Sequence, residues 1–415
     1  MNRSDAQPAP APDGAAASAE VHGPSGDASP APAAPPVPMK SVHTTTFPRI
    51  LDHFGCSLAV TTYQAGKLVL LRPELGGAAP VLNTHFRGFD KPMGFAWEPG
   101  RFAIGTTTEI REFHDIPAVA PKLDSPESPA RHDAAFLPRQ SHVTGDVQVH
   151  EMAWVRQQTE GNDLLISALS ELWFINTRFS CLATRSPIYS FVPRWKPPFI
   201  TALAPEDRCH LNGFCVRDGQ VRYVTALGET DTPGGWRDNK RSGGVLMDMA
   251  TNNILIRGLS MPHSPRWHDG KLWLLNSGEG GVGVVDLRSG KYQEICRLPG
   301  FTRGFDFAGP YAFVGLSQIR ESAVFSGIAI AELPQSERCC GVWAIDTRSG
   351  QVAGFVKFTE SVQEIFAVQV LPGIRWPDVL NENPKFIAET YELPDAALRD
   401  VPEHLRQPDD SASHA

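Results

Sequence analysis

The stretch His263-Ser-Pro-Arg-Trp-His-Asp-Gly-Lys-Leu-Trp-Leu-Leu275 contains two short apolar strands joined by a tight turn. The turn is Asp269-Gly270, and an Asp-Gly pair between two such runs predicts a β-hairpin because glycine tolerates positive φ. Similar first strands recur along the chain, and their heads are Met93, His150, Asn212, Arg303 and Glu364. The stretch is therefore one copy of a repeat.

A third strand that ends in Asp or Asn follows in several copies. Gly283-Val-Val-Asp286 and Val342-Trp-Ala-Ile-Asp346 both continue into an Arg-Ser-Gly turn, and Phe174-Ile-Asn176 has the same ending. A fourth strand comes next, as in Gln351-Val-Ala-Gly-Phe-Val356. Four short antiparallel strands per unit are typical of a propeller blade. The sequence therefore predicts an all-β, six-bladed β-propeller with four-stranded antiparallel blades.

The last copy of the repeat has too little chain after Glu364 for four strands. We expect N-terminal strands, around Ser57–Thr62 and Lys67–Leu71, to complete this blade and close the ring. Such closure would join both chain ends in one sheet.

The chain ends differ in composition from the region between them. Residues 1–41 are mostly Ala, Pro, Ser, Gly and Asp, so they offer too little apolar surface to fold, and we predict a disordered tail. Residues 42–390 form the predicted propeller domain, and residues 391–415 are polar and predicted to be loose.

Charge and hydropathy exclude several classes of protein. The net charge is −8 without a cluster of Lys and Arg, which argues against a nucleic-acid partner. There is no run of 18 apolar residues and no apolar core of a signal peptide, so we expect no membrane association. The seven cysteines have no regular spacing, which favours reduced thiols in a cytoplasmic protein.

Several longer motifs resemble an uncharacterised bacterial family of conserved hypothetical proteins with a domain of unknown function. The resemblance covers roughly residues 45–380 and implies a propeller-like domain without an established activity. Some members carry tetratricopeptide repeats, which this sequence lacks. The motifs are Tyr63-Gln-Ala-Gly-Lys-Leu68, Val149-His-Glu-Met-Ala-Trp154, Leu203-Ala-Pro-Glu-Asp-Arg-Cys-His-Leu-Asn-Gly213, Pro262-His-Ser-Pro-Arg-Trp267 and Phe301-Thr-Arg-Gly-Phe305.

A weaker similarity links Leu211-Asn-Gly-Phe-Cys-Val-Arg-Asp-Gly219 to the gluconolactonase and regucalcin group of six-bladed propellers. Those enzymes hold a divalent metal with Glu, Asn and Asp at the starts of inner strands. Only Asn212 matches, and the acidic ligands are not reproduced in the other blades.

The heads of the first strands form the main candidate site. Equivalent positions in the blades surround the central axis, so the polar heads should converge at one mouth of the channel. Arg303 favours an anionic ligand such as a carboxylate. Glu151 and His210 lie beside two of the heads and would widen the site. The predicted ligand-binding residues are thus His150, Asn212, His263, Arg303, Glu364, Glu151 and His210.

A metal centre is the alternative for the same ring. His150, Asn212, His263 and Glu364 could hold a divalent cation, although the fixed charge of Arg303 opposes one. Such a metal would support a hydrolase or lactonase by polarising a carbonyl or activating water.

The polar loop Gly228–Gly244 interrupts the third blade, and its Trp236 is predicted to be exposed among charges. The sequence contains no nucleophile elbow, Walker loop, dinucleotide fingerprint or HExxH. We therefore predict a non-catalytic propeller without a cofactor, which binds a small anionic molecule or a protein segment at the channel mouth. A metal-assisted hydrolase remains the alternative.

Overall fold

The computed structural model describes residues 39–405, except 75–76, 78, 126, 128–129, 157–169 and 320–324. Its strands form six sheets. The innermost strand of each sheet contacts the innermost strands of the sheets on both sides, which closes a ring. The prediction of a six-bladed β-propeller with four-stranded antiparallel blades is therefore confirmed.

The blades are numbered in chain order, and their strands are given from the channel outward. Blades 1 to 3 are formed by Phe95–Glu98, Arg101–Gly105, Glu109–Asp115 and Ala134–Val143; by Val149–Arg156, Ser170–Asn176, Cys181–Thr184 and Val192–Trp195; and by Leu211–Arg217, Gln220–Ala226, Gly244–Asp248 and Asn253–Leu259. Blades 4 to 6 are formed by Pro262–His268, Lys271–Asn276, Gly281–Asp286 and Lys291–Arg297; by Phe301–Ala308, Tyr311–Ser317, Gly341–Asp346 and Val352–Phe358; and by Val368–Pro372, Cys56–Thr61, Lys67–Glu74 and Val81–Gly88.

The helices of the described residues are short. The α-helices are Thr46–His53, Ala329–Glu332, Pro384–Glu389 and Asp395–Leu398, and the 3₁₀ helices are Tyr63–Ala65, Ala120–Leu123, Gly235–Asn239, Ser277–Glu279 and Glu403–Leu405. In this part of the chain, no helix has the length and apolar character that crossing a bilayer requires.

Blade 6 is closed by strands from both chain ends, as predicted. Its inner strand pairs with Cys56–Thr61, and Val368 lies opposite Val60. The ring is thus closed by backbone hydrogen bonds between an N-terminal strand and a C-terminal strand of the same sheet.

Two additional strands extend the ring at its outer edge. Ser41–His43 pairs antiparallel with the last strand of blade 5, and Pro377–Val379 pairs parallel with the last strand of blade 1. The first of these begins at the final residue of the predicted tail. Residues 1–38 and 406–415 of the two predicted tails lie outside the described residues.

The core consists of apolar layers between neighbouring blades. The second strand of blade 5 shows how one strand serves two layers, because its side chains alternate between faces. Val314 packs toward Trp273 of blade 4, whereas Phe313 packs with Leu58 of blade 6. Both faces are buried, which explains the nearly continuous apolar runs in these strands.

Close packing at the axis explains the glycines that follow two of the heads. A Cβ at Gly213 would lie 2.7 Å from Pro265 Cδ, and one at Gly304 would lie 2.6 Å from the backbone nitrogen of Val368. Gly304 also has a φ of +79°, which disfavours other residues. The repeated head-Gly-Phe pattern therefore reflects contact between inner strands of adjacent blades.

One strand assignment in blade 2 was wrong. The strand that ends at Asn176 is the second of its blade, and Cys181–Thr184 is the third. The sequence repeat predicts the second strand of this blade at Asp163–Ser167, a run that lies outside the described residues.

Candidate functional site

A cavity of about 280 Å³ lies where the heads of the inner strands converge. Five of the six heads line it, namely Met93, His150, His263, Arg303 and Glu364, together with His210. We call this space the mouth cavity. The five heads meet there because the propeller repeats the same strand geometry around one axis, and His210 directly precedes the inner strand of blade 3.

The sixth head, Asn212, does not line the mouth cavity. Its Nδ2 donates to the Pro262 carbonyl at 3.0 Å, and its Oδ1 accepts a hydrogen bond from Thr225 Oγ1 at 2.7 Å. The side chain is 3 % exposed. Both amide atoms are therefore used within the protein, where they join blade 3 to blade 4.

Glu151 lies deeper in the channel than the mouth cavity. Its carboxylate accepts two hydrogen bonds from Arg266, both at 3.0 Å, and Arg266 also donates to the Phe305 carbonyl at 2.8 Å. This bidentate pair connects blade 2 to blade 4 around the channel interior. The remaining space beside it is about 10 Å³, room for no more than about one water molecule.

His150 and His263 are held by the same local device. Each Nδ1 lies near the carbonyl oxygen two residues earlier, at 3.0 Å from Gln148 and 2.9 Å from Met261. Gln148 and Met261 have φ values of 55° and 47°, so the backbone turns its carbonyl toward the ring. A carbonyl only accepts hydrogen bonds, so Nδ1 carries the hydrogen and Nε2 carries the lone pair.

Each imidazole also contacts a hydroxyl group, which belongs to the residue that follows the second strand of the same blade. Thr177 Oγ1 lies 2.8 Å from His150 Nδ1 and donates its hydrogen to the Leu211 carbonyl at 2.7 Å. Ser277 Oγ lies 3.1 Å from His263 Nδ1. Both hydroxyl residues follow an asparagine at the end of the second strand, so this support is a repeated feature of blades 2 and 4.

Burial keeps both imidazoles neutral. It lowers the pKa of His150 and His263 well below the usual value, and the positive charge of Arg303 acts in the same direction. Among the described residues neither Nε2 has a hydrogen-bond partner, and neither atom is sealed from solvent. Each ring therefore offers a hydrogen-bond acceptor to the mouth cavity.

Arg303 presents a positive charge to the same cavity. Its guanidinium lies 3.5 Å from the centre of the Phe366 ring. Within the described part of the chain it forms no hydrogen bond and no ion pair. Burial lowers the pKa of Arg303 to about 10, while nearby Glu364 and Tyr63 act against this shift, so the group stays charged at neutral pH.

The third histidine of the cavity is fixed by a carboxylate. His210 Nδ1 lies 2.9 Å from Asp207 Oδ2, and Trp236 Nε1 donates to the same oxygen at 3.0 Å. Trp236 is only 2 % exposed and contacts the His210 ring with centroids 4.5 Å apart. The prediction that Trp236 is exposed was wrong. Its indole nitrogen donates to Asp207, and its ring lines the mouth cavity, so the loop Gly228–Gly244 packs against the channel.

Apolar side chains form one wall of the mouth cavity. Leu227, Trp236, Met261 and Phe301 belong to one buried cluster, and Phe325 packs against it. The cavity thus combines an apolar wall with charged and hydrogen-bonding groups, as ligand sites commonly do.

Several cavity residues escaped the sequence-based prediction. Tyr63 begins one of the quoted motifs, and Phe366 follows the head Glu364 by two residues. Asp207, within another quoted motif, and Trp236 lie in loops whose contacts no repeat reveals. The Asn-Thr and Asn-Ser pairs after the second strands of blades 2 and 4 were a usable signal, because the repeat marks them as equivalent.

The predicted metal ligands do not assemble into a metal centre. Asn212 has no free amide atom, and it lies outside the mouth cavity that His150, His263 and Glu364 share. Throughout the described ranges, no group of three or more His, Cys, Asp or Glu is placed to hold a metal ion. The residues therefore do not fit the metal of the gluconolactonase and regucalcin group, and that similarity stays a prediction.

Comparison with solved structures returns matches at low sequence identity. The crystal structure of a nidogen/laminin complex matches with a TM-score of 0.45 and 10 % identity, covering 77 % of this chain and 99 % of that chain. A protein of unknown function from Bacteroides caccae gives 0.43 and 8 %, covering 76 % and 98 %. Saccharomyces cerevisiae Sqt1 gives 0.35 and 12 %, covering 74 % and 72 %.

A comparison with curated proteins gives no match. The family model described as "Domain of unknown function (DUF4915)" matches residues 45–380, the region over which the sequence motifs indicated an uncharacterised family. This match spans most of the chain and all six blade heads. The chain therefore belongs to the DUF4915 family.

Proposed function

We propose that the protein is a binding module whose mouth cavity holds a small molecule with a carboxylate group. The observation that carries this proposal is Arg303, a guanidinium without a hydrogen-bond or ion-pair partner among the described residues. A charge that is partly removed from water is normally paired. A carboxylate would accept two parallel hydrogen bonds from the guanidinium and so supply the missing partner.

The size of the cavity favours a small molecule over a protein segment. A volume of about 280 Å³ holds on the order of nine water-sized groups. Beside the bidentate pair of Glu151 and Arg266, deeper in the channel, the space is only about 10 Å³. An extended segment would therefore find no passage through the propeller.

The lining residues support binding rather than covalent catalysis. No serine, threonine or cysteine is among the described residues that line the mouth cavity. The cytoplasmic location predicted from the sequence is part of this proposal, and the seven free cysteines support a reducing compartment.

Thermal unfolding with a panel of small carboxylates, each paired with its neutral amide, tests the proposal. We expect at least one carboxylate to raise the melting temperature, and its amide to have little effect. Arg303→Met should remove the advantage of the carboxylate over its amide, whereas Arg288→Met, at an exposed arginine outside the cavity, should preserve it. If the Arg303→Met protein kept the wild-type preference for the carboxylate, the proposal would be contradicted.

A further inference from the structure

The mouth cavity contains a second charged group without a partner. Glu364 lines the cavity, and its carboxylate makes no hydrogen bond and no ion pair within the described residues. Its charge acts on Arg303 electrostatically, but among the ion pairs of the described residues there is none between the two groups within 4.0 Å. Two opposite charges therefore face one small space without neutralising each other directly.

This arrangement is unusual for the protein itself. Other buried charges of the described residues have partners, as Asp378 has in Arg87 at 2.6 Å and Glu112 in Arg101 at 2.8 Å. Arg338, which has no carboxylate partner, donates to three backbone carbonyls instead. A simple carboxylate bound to Arg303 would leave Glu364 facing a like charge. A ligand with an additional positive group would satisfy both residues at once.

The histidines add acceptors suited to the same positive group. The Nε2 atoms of His150 and His263 carry lone pairs, since each Nδ1 is occupied by a carbonyl oxygen. An ammonium group has three hydrogens to donate, and Glu364 with two imidazoles supplies acceptors for such a group. An ammonium group bound in this way needs no metal ion in the site.

We infer that the ligand is a zwitterion with a free ammonium group, a free carboxylate and an apolar side chain, as in an apolar α-amino acid. Arg303 binds the carboxylate, Glu364 binds the ammonium group, and the wall of Leu227, Met261, Phe301 and Trp236 receives the side chain. This inference rests on the proposed function and names the ligand class of the same site.

Isothermal titration with the twenty amino acids, followed by derivatives of the tightest binder, provides the test. The N-acetyl derivative lacks the positive charge and the carboxamide lacks the negative charge. We expect each change to weaken binding to the wild-type protein by about tenfold or more, because each removes a charged hydrogen bond. An apolar amino acid such as leucine or phenylalanine should bind most tightly.

Two cavity variants connect each ligand group to its residue. In Glu364→Gln, the free amino acid and its N-acetyl derivative should bind equally, while the preference for the free carboxylate persists. In Arg303→Met, the free amino acid and its carboxamide should bind equally, while the preference for the free ammonium group over the N-acetyl derivative persists. Glu360→Gln is the matched control, because Glu360 lies on the surface, where it pairs with Lys40, and this variant should keep both preferences.

The outcomes separate this inference from the proposed function. If a carboxylate binds through Arg303 but N-acetylation has no effect, the zwitterion is excluded and the anion site stands. If none of the amino acids binds, the inference is overturned. If no carboxylate of any kind binds, both the inference and the proposed function fail.

Discussion

The mouth and the interior of the channel use the same residue type in opposite ways. Arg266 and Arg303 lie on the inner strands of neighbouring blades 4 and 5. In the interior, Arg266 is held by both oxygens of Glu151 and by the Phe305 carbonyl. At the mouth, Arg303 rests on the Phe366 ring without an acceptor in the described part of the chain.

The difference separates a part of the channel whose charges are used within the fold from a part whose arginine donors are unused among the described residues. Arg266 uses four of its five N–H groups within the protein, two on Glu151 and one each on the carbonyls of Phe305 and Pro265. Removing one partner of such a buried pair leaves the other with a large desolvation cost. An arginine that only stacks on an aromatic ring keeps its donors available. The guanidinium of Arg266 therefore holds the fold together, whereas that of Arg303 has unused donors among the described residues.

The largest expected effect comes from breaking the interior pair. Arg266→Met leaves the buried carboxylate of Glu151 without its partner, and we expect the free energy of unfolding to fall by about 3 kcal/mol. Urea denaturation with linear extrapolation measures this change. Glu229→Gln, which removes an exposed pair with Arg257, is the control, and its loss should stay below about 1 kcal/mol.

The double variant Arg266→Met with Glu151→Met extends this prediction. Apolar side chains of similar size remove both charges, so much of the lost stability should return. A double variant as unstable as the single one would mean that packing, rather than the unpaired charge, causes the loss.

The second effect is a pH dependence at the mouth. Burial lowers the pKa of His263 well below its ordinary value of 6.5, so the unfolded chain binds more protons below that pH. Neutral His263 therefore makes its full contribution to the free energy of unfolding above pH 6.5. That contribution is lost as the pH falls below 6.5, by up to about 1.4 kcal/mol per pH unit.

The measurement compares the wild-type protein with His263→Gln in urea between pH 7.5 and 5. The difference in unfolding free energy should shrink toward acid pH. His142→Gln, at a surface imidazole, controls for the loss of a histidine in general. A difference that stays constant across this range would contradict the burial argument.

The smallest expected effect is on stability at Arg303. Arg303→Met breaks no ion pair or hydrogen bond of the described residues, and a methionine can keep a favourable contact with Phe366. We expect the free energy of unfolding to change by less than about 1 kcal/mol. A loss as large as that of Arg266→Met would show that the two arginines are not different in kind.

Local sequence signals predicted the blades well because their physical causes are local. The Asp269-Gly270 turn forms the hairpin of blade 4, since both residues adopt positive φ there. The repeated heads also placed His150, His263, Arg303 and Glu364 around one cavity, because equivalent residues of a repeat occupy equivalent places.

The repeat failed where a contact crosses between unlike segments. Asn212 occupies a head position, but its amide bonds to Pro262 and Thr225 and leaves the cavity. Trp236 looks like a solvated loop residue, yet Asp207 fixes its indole nitrogen in the cavity wall. Pro262 and Thr225 lie on repeated strands, but the periodicity does not tell which side chain bonds to which neighbour. Asp207 lies in a loop outside the strands, so the repeat gives no register for it.

The sequence by itself determined the number of blades, the closing strands and the polar heads, since strand alternation, turn residues and repetition act over short distances. Only the tertiary structure decided which charges are paired. Glu151 and Arg266 are 115 positions apart and meet because blades 2 and 4 face the same channel. Arg303 and Glu364 share the mouth without forming an ion pair, and that separation depends on how six blades pack around one axis.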